Sequence, residues 1–145
     1  MPAIRMGDGV MQKLFVALAC TATNADAARG QEDAGMPRAE MRCERVDGPG
    51  RVRCEVEARV AQGESIAGGD VVIVRTPSFV TALRGRIGPH DATTRETDIW
   101  RWAFALAARE RGSGEVEARV RLIVCHAGAC LPRQAPMTAR VVVGE

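Results

Sequence analysis

The chain has no tyrosine, and phenylalanine and tryptophan together make up only 3% of its 145 residues. That scarcity argues against the aromatic-rich surfaces on which sugars or single-stranded nucleic acids stack. Charge of one sign is not in excess either, since 20 basic side chains stand against 18 acidic ones. The two signs are interspersed, which leaves no basic stripe of the kind that follows a nucleic-acid backbone. Histidine is limited to His90 and His126, and the acids are scattered over polar strand faces. No Ser-His-Asp set or carboxylate pair can be assembled from them. Gly68-Gly69 and Gly85 do not make a phosphate loop. Beyond the N-terminal region no apolar run is long enough to cross a bilayer. The expectation is therefore no nucleic-acid partner, no cofactor and no transmembrane segment in the mature chain.

The N-terminal region has the plan of a secretory signal peptide. Lys13 precedes an apolar run from Leu14 to Ala22, and Ala25-Asp26-Ala27 offers a small-residue cleavage site. Met11 can serve as an alternative start and gives a tighter signal. Residues 1–27 are thus expected to be a signal peptide, 28–38 a flexible leader and 39–145 a single domain. Cys20 lies in the apolar region, but Ala17-Leu18-Ala19 fits a lipidation box poorly, so lipid anchoring is not expected. Removing Cys20 leaves Cys43, Cys54, Cys125 and Cys130, an even number that suits an oxidising compartment such as the periplasm.

The rest of the chain alternates with period two, the mark of half-buried strands. Val52, Cys54, Val56, Ala58 and Val60 alternate with charged residues. Val116, Ala118, Val120, Leu122 and Val124 repeat that pattern. "IWRWAFALAARERG" (99–112) reads as a helix capped by Asp98 or as a strand, and the alternation of Trp100, Trp102, Phe104 and Leu106 on one face favours the strand. "DVVIVR" (70–75) reads as a buried strand, "SFVTALRGRI" (78–87) as a strand or a loop packing Phe79 and Leu83, and "TARVVVG" (138–144) as a last strand. Residues 61–70, with Gly68-Gly69, read as a loop, and so do residues 88–98. "RGSG" (111–114) reads as a hairpin turn that would pair its two flanking strands. Six to eight short strands with no long helix predict an all-β chain, an immunoglobulin-like antiparallel β-sandwich.

The cysteines fall into two local pairs. "DGPG" (47–50) is a strong turn signal, and a four-residue loop there sets Cys43 opposite Cys54. Directly opposite residues of an antiparallel pair come close enough to bridge, which makes Cys43–Cys54 a structural staple of roughly 3 kcal/mol. The other pair lies in "LIVCHAGACLPR" (122–133), with four mostly small residues between Cys125 and Cys130. Three readings stay open there: a permanent disulfide that shapes a turn, a bond poised for exchange, and a metal site. The metal reading would draw on Cys125, Cys130, His126 and His90, or on Met137 for copper(I). No second Cys-x-x-Cys knuckle completes a zinc set.

"VRLIVCHAGACLPRQAPMTARVVV" (120–143), with the two strands leading into it, resembles the C-terminal part of the DsbD N-terminal domain family. The resemblance covers about the last third of the chain, and its specific part is the cysteine turn. Arg133 follows Pro132 where the family has a second proline, and Leu131 stands where its best-known members have tyrosine. The family is periplasmic and has an immunoglobulin-like fold. The resemblance implies a thiol:disulfide electron-relay domain with Cys125 and Cys130 as the redox pair, and thioredoxin-like or membrane-embedded thiol–disulfide proteins as partners. Under it, His126 and Phe79 are candidate modulators of the pair, Phe79 as an aromatic cap. The alternative is a non-enzymatic, disulfide-stabilised β-sandwich that binds a protein partner in the cell envelope.

Overall fold

A computed structural model gives the fold of residues 35–144. The expected signal peptide and most of the expected leader lie outside the described residues. Nine strands account for nearly all of the structure: β1 (Arg38–Cys43), β2 (Gly50–Arg59), β3 (Ser65–Arg75), β4 (Val80–Ala82), β5 (Arg86–Ile87), β6 (Ala92–Arg95), β7 (Ile99–Ala108), β8 (Gly112–His126) and β9 (Ala129–Val143). The described residues contain no α-helix, only a 3-10 turn at Pro89–Asp91. One sheet runs β1-β2-β7-β4, with β6 sharing the β4 side of β7, and the other runs β5-β3-β8-β9. Every ladder between these strands is antiparallel. The fold is an immunoglobulin-like antiparallel β-sandwich.

Alternation places the core as the sequence predicts. Val52, Cys54, Val56 and Ala58 of β2 pack with Trp100, Trp102, Phe104 and Leu106 of β7 on the inner face of one sheet. Val116, Ala118, Val120, Leu122 and Val124 of β8 face them from the other, beside Ala135, Met137, Ala139, Val141 and Val143 of β9. Each such large side chain contributes about 1.5–3 kcal/mol by leaving water. Trp102 is fully buried and still satisfies its polar edge, because its Nε1–H donates to the Gly88 carbonyl at 3.2 Å. The outer faces carry charges at the intervening positions, paired as Arg101–Glu57, Arg59–Glu57 and Arg75–Glu117.

Several sequence expectations need correction. The strands on either side of "RGSG" do not pair: β7 belongs to one sheet and β8 to the other. Both sides of β7 are already occupied, by β2 on one and by β4 and β6 on the other, so the chain crosses the sandwich. Residues 61–70 are not all loop, since β3 begins at Ser65 and passes through both glycines. Of the two, Gly69 serves packing. A Cβ on Gly69 would stand 2.7 Å from Leu122 Cδ2 and 3.3 Å from the Trp102 ring. Glycine inside a strand marks such a close approach. The β3–β8 register also shifts between Ile66 and Gly68. Residues 88–98 hold the 3-10 turn and β6. Leu83 does not pack inward but is 57% exposed. The last strand starts at Ala129, well before residue 138, and so contains Cys130.

The first hairpin also opens earlier than a four-residue loop would allow. Glu44 N–H still donates to the Arg53 carbonyl, but Val46 leaves β2 and bridges Val143 at the end of β9. Val46 N–H donates to the Val142 carbonyl and Gly144 N–H to the Val46 carbonyl, which fixes the direction of the β9 backbone. Even-numbered residues of β9 turn their N–H and C=O away from β8. Pro132 and Pro136 occupy even positions on this edge strand, where the missing N–H removes nothing from the ladder.

Candidate functional site

The segment that the sequence singled out forms the tip of the β8–β9 hairpin. Cys125 lies directly opposite Cys130, and His126 opposite Ala129. Two residues, Ala127 and Gly128, make the turn, with φ of 49° and 80°. Positive φ at both central positions is the type I′ requirement, whose twist matches that of the flanking strands. Gly128 takes it without cost, and Ala127 is the only non-glycine with positive φ among the described residues. The close cross-strand pair just behind the turn is bridged, with a Cα–Cα distance of 4.0 Å.

The other expected pair, Cys43–Cys54, is likewise a disulfide with Cα–Cα 4.0 Å, between β1 and β2. The two bonds face different surroundings. Cys54 has no exposed surface and sits among the inward residues of β2. Cys125 is half-buried and Cys130 exposed, on the outer face of the second sheet. Cys125 has Ser65 of β3 beside it.

The remaining predicted residues are not gathered around the exposed pair. His126 points to the face opposite Cys125, and its Nδ1–H donates to the Gly63 carbonyl at 3.1 Å. The ring thus ties the hairpin tip to the turn before β3. Phe79 does not cap the disulfide. Its ring packs on the start of β8, where Gly112 and Gly114 leave room for it. Gly114 and Cys125 stand eleven positions apart along the strand, about 36 Å at the rise of an extended chain. No group of three or more His, Cys, Asp or Glu suited to hold a metal ion occurs among the described residues.

The structure adds a feature that sequence reasoning missed. Behind the hairpin tip, on the same outer face, lies an open cleft of about 570 Å³. Ile123 and Pro132, the outward neighbours of Cys125 and Cys130, form part of its floor with Gly68. At its far side Asp70 is 5% exposed beneath Arg86 and Arg121. Arg121 donates Nε–H to Asp70 Oδ1 at 2.8 Å and Nη2–H to Oδ2 at 2.5 Å. Arg86 donates Nε–H to Oδ2 at 2.5 Å. The Arg121 hydrogen bonds hold the Asp70 carboxyl below the usual carboxylate range, against the opposing effect of burial and with further help from Arg86. One signal of this cluster was present in the sequence: an acid directly after two glycines in a strand-like run.

No family model matches the chain, and no curated protein matches it. Among solved structures it is similar to a non-cellulosomal cohesin from the hyperthermophilic archaeon Archaeoglobus fulgidus, at 10% identity and a TM-score of 0.45 over 77% of this chain and 93% of that one. It is also similar to self-complemented MyfA, the major subunit of Myf fimbriae from Yersinia enterocolitica, at 14% identity and a TM-score of 0.39 over 74% and 99%. A third is BslA, a bacterial hydrophobin, at 9% identity and a TM-score of 0.39 over 77% and 97%. The fold assignment rests on the strand pairing itself. Among the described residues no helix is long and apolar enough to cross a membrane.

Proposed function

We propose that this chain is a disulfide-stabilised β-sandwich that works outside the cytoplasm and binds a protein partner in the cell envelope, without chemistry of its own. The observation that carries the reading is the unequal outer surface. Opposite charges such as Arg101–Glu57 and Arg59–Glu57 pair on the outer face of the first sheet. On the second sheet, by contrast, Ile123 stands 42% exposed beside the disulfide, and Leu131 is 51% exposed on the reverse face of the same hairpin tip. Two cross-strand disulfides in a domain of this size support an oxidising compartment. A photoreactive residue at Leu131 tests partner binding in the native compartment. A discrete crosslinked protein band is expected there, and none from the same residue at Glu55 on the charged face. Equal crosslinking from both positions, or from neither, sinks the reading.

A second reading is favoured by one specific observation, the exposure of Cys130. It is the exchange chemistry that the DsbD N-terminal domain resemblance implies. A partner thiolate attacks one sulfur of Cys125–Cys130, which forms a mixed disulfide and releases the other sulfur as a thiolate. A second partner thiol then displaces the chain. Cys125 and Cys130 end as a dithiol, and the partner ends as a disulfide. Thiol trapping of protein taken from its native compartment separates the two readings. Exchange requires a reduced fraction at Cys125 and Cys130, and capture of a partner on Cys125 in a Cys130→Ser variant. Full oxidation with no capture leaves the binding reading alone.

A further inference from the structure

The cleft behind the hairpin tip has a chemistry that the rest of the surface lacks. Two other concavities of the surface are lined by charges that neutralise one another. In the concavity of about 270 Å³ on the first sheet, Arg101 reaches Glu57 at 2.7 Å and Arg42 reaches Glu40 at 3.1 Å. The cleft of the second sheet is lined by three arginines, Arg86, Arg121 and Arg133, and by a single acid, Asp70. That carboxylate lies under two of them and is fully occupied by them. Arg86 meets it only through Nε, and Arg121 through Nε and Nη2. Both terminal nitrogens of Arg86 and Nη1 of Arg121 have no other partner among the described residues. Asp70 therefore acts as a buried anchor. It fixes two long side chains in place and leaves their outer donors turned to solvent, so that little rotamer freedom remains to be lost when an anion arrives.

Beside these donors the floor is apolar. Gly68 contributes no side chain, and its neighbour across the ladder, Ile123, is 42% exposed. Pro132 continues the apolar strip to β9. The cleft is open to solvent and lies across the four strands β5, β3, β8 and β9, a shape that suits a length of chain better than an enclosed small molecule.

We infer that this cleft docks an apolar segment of a protein partner that presents a carboxylate, an Asp or Glu flanked by aliphatic side chains, to the outer nitrogens of Arg86 and Arg121. The inference rests on the partner-binding reading above and specifies the chemistry of the contact. The aliphatic neighbours lie over Ile123 and Pro132, next to Cys125–Cys130.

The test is a titration of the full chain, isotope-labelled and with both disulfides intact, by nuclear magnetic resonance. The probe is the peptide acetyl-Ala-Leu-Glu-Leu-Ala-amide, with its Gln counterpart as control. The Glu peptide is expected to shift the amides of Gly68 and Ile123 and the Nε–H of Arg86. The Gln peptide is expected to bind about tenfold more weakly, as the loss of a charge-assisted hydrogen bond implies. Arg86→Gln keeps the two-point Arg121–Asp70 contact and so the fold. It is expected to weaken the Glu peptide by about fivefold to tenfold. Ile123→Ser, an exposed position, is expected to weaken both peptides alike. Equal binding of the two peptides, shifts outside the cleft, or an Arg86→Gln protein that binds undiminished overturns the inference. So does hexanoate binding as well as the peptide, which would mark a small-molecule site. Loss of this inference with crosslinking at Leu131 intact leaves partner binding standing on another surface. Loss of crosslinking with peptide binding intact removes the envelope partner while the carboxylate site remains.

Discussion

The two disulfides join the same kind of strand pair at the same Cα–Cα distance of 4.0 Å, yet their surroundings make them different objects. Cys43–Cys54 faces inward, where Cys54 has no exposed surface, and is a piece of the core that happens to be covalent. Cys125–Cys130 faces outward at a two-residue turn, where the bond is open to solvent and to other proteins. Cross-strand geometry decides whether a bridge can form. Which face of the sheet carries it decides whether anything can reach it.

The largest effect that this comparison predicts is in reduction. Under a mild reductant in native conditions, Cys125 and Cys130 should be alkylated at least about tenfold faster than Cys43 and Cys54, because access limits thiol attack. Mass spectrometry of the labelled peptides reads the ratio, and equal rates would break the distinction. Next comes stability. Replacing Cys43 and Cys54 by Ala should cost about 3–4 kcal/mol in urea unfolding, from a longer constrained loop and a gap left in the core. Replacing Cys125 and Cys130 by Ala should cost about 2 kcal/mol, from the short loop alone.

The charged cluster beside the exposed bond gives a smaller, pH-dependent effect. Asp70 has a lowered pKa in the folded state, first through Arg121. Its stabilisation is therefore fully present above the unfolded carboxylate value of about 4 and is lost as pH falls through the folded value. Asp70→Asn should remove about 1–2 kcal/mol at neutral pH and flatten the acid limb of the stability curve. An unchanged acid limb would remove Asp70 as an anchor. The smallest effect concerns Phe79. Its truncation to Ala should leave the labelling rate of Cys125 and Cys130 within about twofold, since strand spacing puts the ring about 36 Å away. A faster rate would restore Phe79 as a cap.

Alternation makes the faces of this sandwich legible in the sequence. The inward rows of β2, β7 and β8 are where their period-two patterns put them, and Cys43 meets Cys54 on an inward row in the expected register, although Val46 leaves the hairpin before "DGPG". A pattern of faces does not name a strand's neighbours. An inward row serves a core equally well from either sheet, so β7 and β8 looked like a hairpin although they lie across the sandwich from each other. Gly68-Gly69 misled for a related reason. The sequence shows what glycine permits, whereas its use here depends on Leu122 and Trp102, which arrive from distant parts of the chain. The Arg86–Asp70–Arg121 cluster was hidden in the same way, since 16 and 51 positions separate each arginine from its acid. Such pairings are invisible to a reading that works along the chain.

Pro132 and Pro136 stand at the outward-turned backbone positions of β9, where the ladder does not need their nitrogens. A foreign strand approaching that edge would need those nitrogens. With two donors deleted four residues apart, it meets a broken row of hydrogen bonds and cannot extend the sheet. Growth of the second sheet from its β9 edge is thereby discouraged. A protein that binds near the hairpin is directed to the face of the sheet and away from its rim.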